Sequence, residues 1–281
     1  MSDLHSINEA INKRAGRKLL PSIAVSLFLV ALVWFALAFE RIIFAGVVTV
    51  AVILGLREMR KALSTSNIAI SFKALSLATI GLSYASWVGG VAGLAIATAI
   101  AFPCLLIWLL REGPEQFVAK ATATSLALIY LPFLAGFIIL LARPENGLAQ
   151  VMTFVVLVGC NDTFGYFVGV LVGKHPLAPK ISPKKSWEGL VGSIIFTPIG
   201  GALTFHYILD LDWHIGVIAG LMTVFTATSG DLIESAIKRD LSLKDMGNLL
   251  PGHGGILDRL DSVLLSAPAL WLALELVKRY L

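Results

Sequence analysis

Residues 121 to 142 read ATATSLALIYLPFLAGFIILLA, twenty-two positions without a charged side chain. A helix rises about 1.5 Å per residue, so a run of this length crosses the roughly 30 Å hydrocarbon core of a bilayer. Further apolar runs lie near 19 to 39, 42 to 56, 74 to 90, 92 to 110, 148 to 173, 189 to 209, 213 to 230 and 262 to 279. They predict an all-α, polytopic integral membrane protein of about nine transmembrane helices. The stretch 74 to 110 is divided at Gly89-Gly90 on length, because one helix over that whole run would overshoot the bilayer.

Composition agrees. The chain is 57% hydrophobic and only 14% charged, where a soluble domain carries about a quarter charged residues. Lys13, Arg14, Arg17 and Lys18 precede the first run in the manner of a secretory signal, but 19 to 39 is longer than the usual apolar core of about 7 to 15 residues. An uncleaved first helix is expected. Cys104 and Cys160 both sit inside apolar runs, where they act as small hydrophobes.

The distribution of Lys and Arg supplies orientation, since cytoplasmic loops carry the excess. With the N-terminus inside, eighteen of the 22 fall in the segments before 19 and in 57 to 73, 111 to 120, 174 to 188 and 231 to 261; Arg41, Arg143, Lys278 and Arg279 fall outside. The net charge of +4 therefore reflects topology and implies no nucleic-acid partner. Residues 1 to 150 read as a helical scaffold of about five spans. Residues 151 to 281 read as a catalytic membrane domain with cytoplasmic loops, in the cell membrane, its active site facing the cytoplasm.

Three polar clusters interrupt the second half. Asn161-Asp162-Thr163 lies within an apolar run, where a carboxylate costs several kcal/mol unless paired or facing a wet cavity. Gly165, Gly169 and Gly173 follow at four-residue spacing, a small-residue stripe suited to close helix packing. The second cluster, Lys180-Ile181-Ser182-Pro183-Lys184-Lys185-Ser186-Trp187-Glu188-Gly189, is expected as a basic loop leading into a helix. Its hydroxyls and ammonium groups suit either a phosphate or anionic lipid headgroups.

The third cluster runs from Ser229 to Asp261 and is dense in charge: Asp231, Glu234, Lys238, Arg239, Asp240, Lys244, Asp245, Asp258, Arg259 and Asp261. If helical, it sets Asp231 with Glu234, and Glu234 with Lys238, on one face. Asp258 and Asp261 repeat the three-residue spacing. Two acidic pairs make an oxygen-only donor set, which suits Mg2+ rather than Zn2+. Between them lies Pro251-Gly252-His253-Gly254-Gly255, a turn whose backbone N–H groups could approach a phosphate. His253 has no His or Cys at metal-site spacing, and no G-x-x-x-x-G-K-[ST] loop occurs.

Ser235, Lys238-Arg239, Lys244-Asp245, His253-Gly254-Gly255, Asp258-Arg259 and Asp261 together resemble the signature of the phosphatidate cytidylyltransferases. Asn161-Asp162-Thr163 with Gly165-Tyr166, Ser182 to Gly189, and Gly230-Asp231-Leu232 with Glu234-Ser235 are similar to other motifs of that family. The resemblance implies a membrane enzyme that joins CTP and phosphatidate into CDP-diacylglycerol and pyrophosphate with Mg2+. It implies metal ligands among Asp231 and Asp258 first, then Asp261, Glu234 and Asp162. Lys238, Arg239, Lys244 and Arg259 would hold phosphate oxygens, and Ser182, Lys184, Lys185 and Ser186 would close the site from the other loop. Asn161, His253, Gly254 and Gly255 complete the substrate-binding set. A second, monovalent cation and a homodimer are both compatible with the sequence.

Two rival readings remain. A CTP-dependent lipid or polyprenol kinase would transfer the γ-phosphoryl group instead. An ion-coupled transporter would use Asp162 and the Gly/Pro-interrupted helices, though no internal repeat relates the two halves. A phosphatidyltransferase is disfavoured because its D-G-x-x-A-R hallmark is missing.

Overall fold

The computed structural model describes residues 30–247 and 254–280. Its helices are α1 (Val30–Phe39), α2 (Arg41–Ser64), α3 (Phe72–Leu109), α4 (Phe117–Leu128), α5 (Leu134–Ala142), α6 (Gly147–Val172), α7 (Trp187–Tyr207), α8 (Trp213–Asp240) and α9 (Leu257–Tyr280). A π-helical turn, Ile129–Phe133, joins α4 to α5 around Pro132, whose missing N–H breaks the regular ladder. Counted as uninterrupted segments, seven of these helical stretches are long and apolar enough to cross a membrane. The chain is thus a multi-pass helical membrane protein. The first part of the predicted 19 to 39 span lies outside the described residues.

α3 is two helices. Gly90 adopts φ 64° and ψ −149°, a backbone that only glycine takes readily. Beyond it, Gly93 packs against the backbone of Ala85. In a continuous helix, residues eight apart stand about 12 Å apart, so the chain reverses here. The reversal is held by Arg143, whose Nε donates to the Trp87 carbonyl at 2.7 Å and Nη2 to the Val88 carbonyl at 3.2 Å. Arg41 in turn donates to the Arg143 carbonyl at 3.1 Å. Arg143 and Lys278 line one hollow with Gly90. Three of the four basic residues expected outside therefore gather at one end of the bundle.

Close helix packing in the second half rests on glycine. Gly165 and Gly169 of α6 lie against Gly189 and Ser193 of α7, and Gly201 of α7 meets Gly216 of α8 backbone to backbone. The predicted stripe thus packs helices, and a side chain at any of these positions would force them apart. α9 lies against α8 and also touches α5 and α2.

Two predicted boundaries shift. α8 continues to Asp240, ten residues past the expected end of its span, and α9 begins at Leu257, five residues early. Fifteen of the 25 described residues in the expected loop over 231 to 261 are consequently helical. Charged side chains end an apolar run without ending a helix, and the Glu234–Lys238 pair at i,i+4 supports the continuation. The basic segment after α6 is a small antiparallel hairpin, β1 (Pro176–Ala178) and β2 (Ser182–Ser186), rather than a plain loop.

Candidate active site

At the end of the bundle away from Gly90, α6, α8, α9 and the hairpin converge. About 30 Å of α9 separates Asp258 from Lys278. Gly230 allows the approach of α8 to α9, since a Cβ there would collide with the Asp261 carbonyl oxygen. This contact brings Asp231 beside the first turns of α9, where acidic residues are favoured by the helix dipole.

Lys238 links the two helices. Its Nζ stands 2.5 Å from Glu234 Oε2 and 3.0 Å from Asp258 Oδ1, and the Glu234 side chain is fully buried. Asp258 also accepts the N–H of Gly255 on Oδ2 at 2.7 Å and, on both oxygens, the N–H of Met246 at 3.2 and 3.3 Å. Three donors thus hold a single carboxylate. Lys185 of the hairpin pairs with Asp231 of α8. Arg239 Nε donates to the Ile181 carbonyl at 3.3 Å, tying the hairpin to the end of α8.

Asp162 enters from α6. Its Oδ2 accepts the Ser262 hydroxyl of α9 at 3.2 Å, and its Oδ1 accepts the side-chain amide of buried Asn161 at 3.0 Å. Ser262 N–H donates to Asp261 Oδ1 at 2.7 Å, completing a run from α6 into α9. Asp162 is nevertheless accessible, although protein surrounds it on most sides. It lines a recess and is not sealed in a core. Asp162 lies ten residues before the end of α6 and Asp231 nine before the end of α8, so about 15 Å of helix rises past them.

Most of the expected residues therefore come together. Asp162, Lys185, Asp231, Glu234, Lys238, Asp258 and Asp261 form one electrostatic network. Ser182 is half-buried on the hairpin, Lys184 and Lys244 are exposed, and Arg259 is half-buried on the first turn of α9. The Ser186 hydroxyl is used locally, accepting the Gly189 N–H at 3.1 Å and so capping α7. His253 lies outside the described residues. Gly254, at φ 80°, packs its backbone against the Asp258 carboxylate.

Two residues of the first half reach the site unforeseen. Glu58 of α2 is buried and accepts the N–H groups of Ile256 at 3.1 Å and Leu257 at 2.9 Å. With the Gly255 amide bound to Asp258, the amides from 255 to 257 are taken by carboxylates and are not offered to a phosphate. Tyr130, on the π-helical turn, is buried with an unpartnered hydroxyl, within electrostatic reach of Asp261, Glu234 and Asp231. Glu58 falls in a charged loop by hydropathy, and the only sequence signal for Tyr130 was a phenol and a proline inside an apolar run.

Metal fit follows from charge. Among the described residues no three His, Cys, Asp or Glu side chains already converge on one metal position. Yet five carboxylates, Asp162, Asp231, Glu234, Asp258 and Asp261, share the network with two ammonium groups, Lys185 and Lys238. Such an excess of hard oxygen donors in a recess suits a divalent cation carrying a polyphosphate.

The cytidylyltransferase family model matches residues 22–277. The phosphatidate cytidylyltransferase of Mycobacterium leprae is 38% identical over 291 aligned positions, covering 94% of this chain and 90% of its own. That of Mycobacterium bovis is 35% identical with the same coverage, and that of Thermotoga maritima is 33% identical over 59% of this chain and 64% of its own. With the family model spanning 22–277 and these relatives 35 and 38% identical over 94% of its length, the chain belongs to the cytidylyltransferase family.

Proposed function

We propose that the protein transfers the cytidylyl group of CTP to phosphatidate, giving CDP-diacylglycerol and pyrophosphate. The observation that carries this reading is the carboxylate and lysine network recessed at one end of an apolar bundle, where a lipid phosphate and a nucleoside triphosphate can meet. A phosphatidate oxygen attacks the α-phosphorus of CTP; the bond between the α-phosphorus and the oxygen bridging to the β-phosphate breaks, and pyrophosphate leaves with that electron pair. Such transfer needs in-line positioning and neutralised charge more than covalent help from the protein.

Lys238, Arg239, Lys244 and Arg259, with Lys185 of the hairpin, would contact phosphate oxygens, Lys185 and Lys238 by exchanging the carboxylates they now pair with. Ser182 and Lys184 would close the recess from the hairpin. Asp231, Asp258, Asp261, Glu234 and Asp162 are the candidate residues to hold Mg2+, which when bound would neutralise phosphate charge. Asp231 has the simplest part to play, because displacing one lysine uncovers it, whereas Asp258 must exchange several donors.

Nine spans, a cytoplasmic N-terminus and a cytoplasmic site in the cell membrane complete the reading. The reversal at Gly90 and the short apolar helix Val30–Phe39 support nine spans over seven, and the excess of Lys and Arg in the loops on the hairpin side supports the orientation. The test uses purified protein with phosphatidate, Mg2+ and CTP labelled in the base or at the γ-phosphate. Base label should move to lipid and γ label to pyrophosphate. Label from the γ position on lipid would make the protein a kinase.

A further inference from the structure

We propose that Glu58 is a positioning residue of this site, acting from the second helix through the start of the ninth. The inference rests on the cytidylyl-transfer reading for its assay, and on geometry for its content. Glu58 is 4% exposed, and its two carboxylate oxygens accept the consecutive amides of Ile256 and Leu257. These are among the amides that a helix leaves without an internal partner, and the carboxylate also meets the positive end of α9. The chain is built around it: a Cβ at either Gly247 or Gly255 would collide with the Glu58 carboxylate. Gly247 and Gly255, eight residues apart in the chain, therefore both close on one side chain.

The consequence reaches the reacting groups through adjoining peptides. Gly255 N–H is aimed at Asp258 Oδ2, and the next peptide is pinned by Glu58. Asp258 is further fixed by Met246, the neighbour of Gly247. Glu58 thus sets where α9 begins, hence where Asp258 and Asp261 stand relative to Lys238 and Asp231. A carboxylate is needed because it presents two acceptors to two donors; a glutamine presents one acceptor and a donor of its own.

The experiment compares wild type with Glu58→Gln, Glu58→Asp, Glu58→Ala and Gly247→Ala in detergent, each checked for monodispersity and assayed well below its unfolding temperature. In Glu58→Ala, kcat should fall about 10- to 100-fold, as for other groups that orient catalytic ligands, while KM for phosphatidate stays within about threefold. Glu58→Gln should recover part of kcat, and Glu58→Asp, shorter by one methylene, less. Gly247→Ala should mimic the defect by crowding an intact Glu58, which keeps the idea testable where Glu58→Ala does not fold. Wild-type kcat in folded Glu58→Gln and Gly247→Ala, with only a lower unfolding temperature, would overturn the proposal. Failure of the cytidylyl reading is separate: the wild-type protein itself would then give a different product.

Discussion

Lys238 Nζ lies 3.0 Å from Asp258 Oδ1, a bond that ties α8 to α9 between residues twenty positions apart. The same ammonium neutralises Glu234, whose side chain is fully buried. Replacing Lys238 by Met should leave two poorly hydrated carboxylates facing each other and destabilise the protein by about 3 kcal/mol, in the range measured for breaking buried pairs. Chemical unfolding in micelles reads this directly. A Lys238→Arg variant should retain stability better than Lys238→Met yet lose most turnover, since a planar fork does not reproduce a point charge.

Asp231→Asn and Asp258→Asn should each abolish cytidylyl transfer while the protein still inserts and purifies as wild type. Substantial activity in both would remove these residues from the proposed ligand set. Asp258→Asn should also lower stability, because an amide nitrogen would face one of the donors from Lys238, Met246 and Gly255.

Gly230→Ala places a methyl group against the Asp261 carbonyl. The expected cost is about 1 to 3 kcal/mol of overpacking, together with lost activity as α8 withdraws from α9. Gly46, whose Cβ would meet nothing within 4 Å, is the control: Gly46→Ala should keep both stability and activity.

Ser186 separates capping from substrate contact. Ser186→Ala should cost about 1 kcal/mol as a lost helix cap. Ser186→Asp should keep the cap, so its stability should match wild type; its activity then reads how near the triphosphate passes, with a large loss meaning that the two are neighbours.

Topology is open to labelling. In a background with Cys104 and Cys160 changed to Ser, a cysteine at Lys184 should react with an impermeant maleimide only from the cytoplasmic side, and one at Glu145 only from the opposite side. The reverse pattern would invert the proposed orientation.

Much of this architecture is legible in the sequence because apolar run length is a direct consequence of bilayer thickness. The reversal at Gly90 follows from run length alone. Helix ends near the site do not, since hydropathy stops at the first charge whereas Asp231, Glu234 and Lys238 continue α8 for three more turns. Local patterns place Asp258 and Asp261 on one side of the site, and the four-residue glycine stripe announces the α6–α7 contact. Glu58 is beyond such reasoning: it belongs to an ordinary charged loop-end, REMRK, and its meaning comes from amides about 200 residues away.

That distance bears on how the protein is made. Glu58 emerges about 200 residues before the amides that satisfy it, so the carboxylate waits through that stretch of translation without its native partners. A chain cut anywhere before Leu257 lacks α9 and leaves that carboxylate without the Leu257 amide. Fragments of this protein should therefore behave as substrates for membrane quality control and not as enzymes of reduced efficiency.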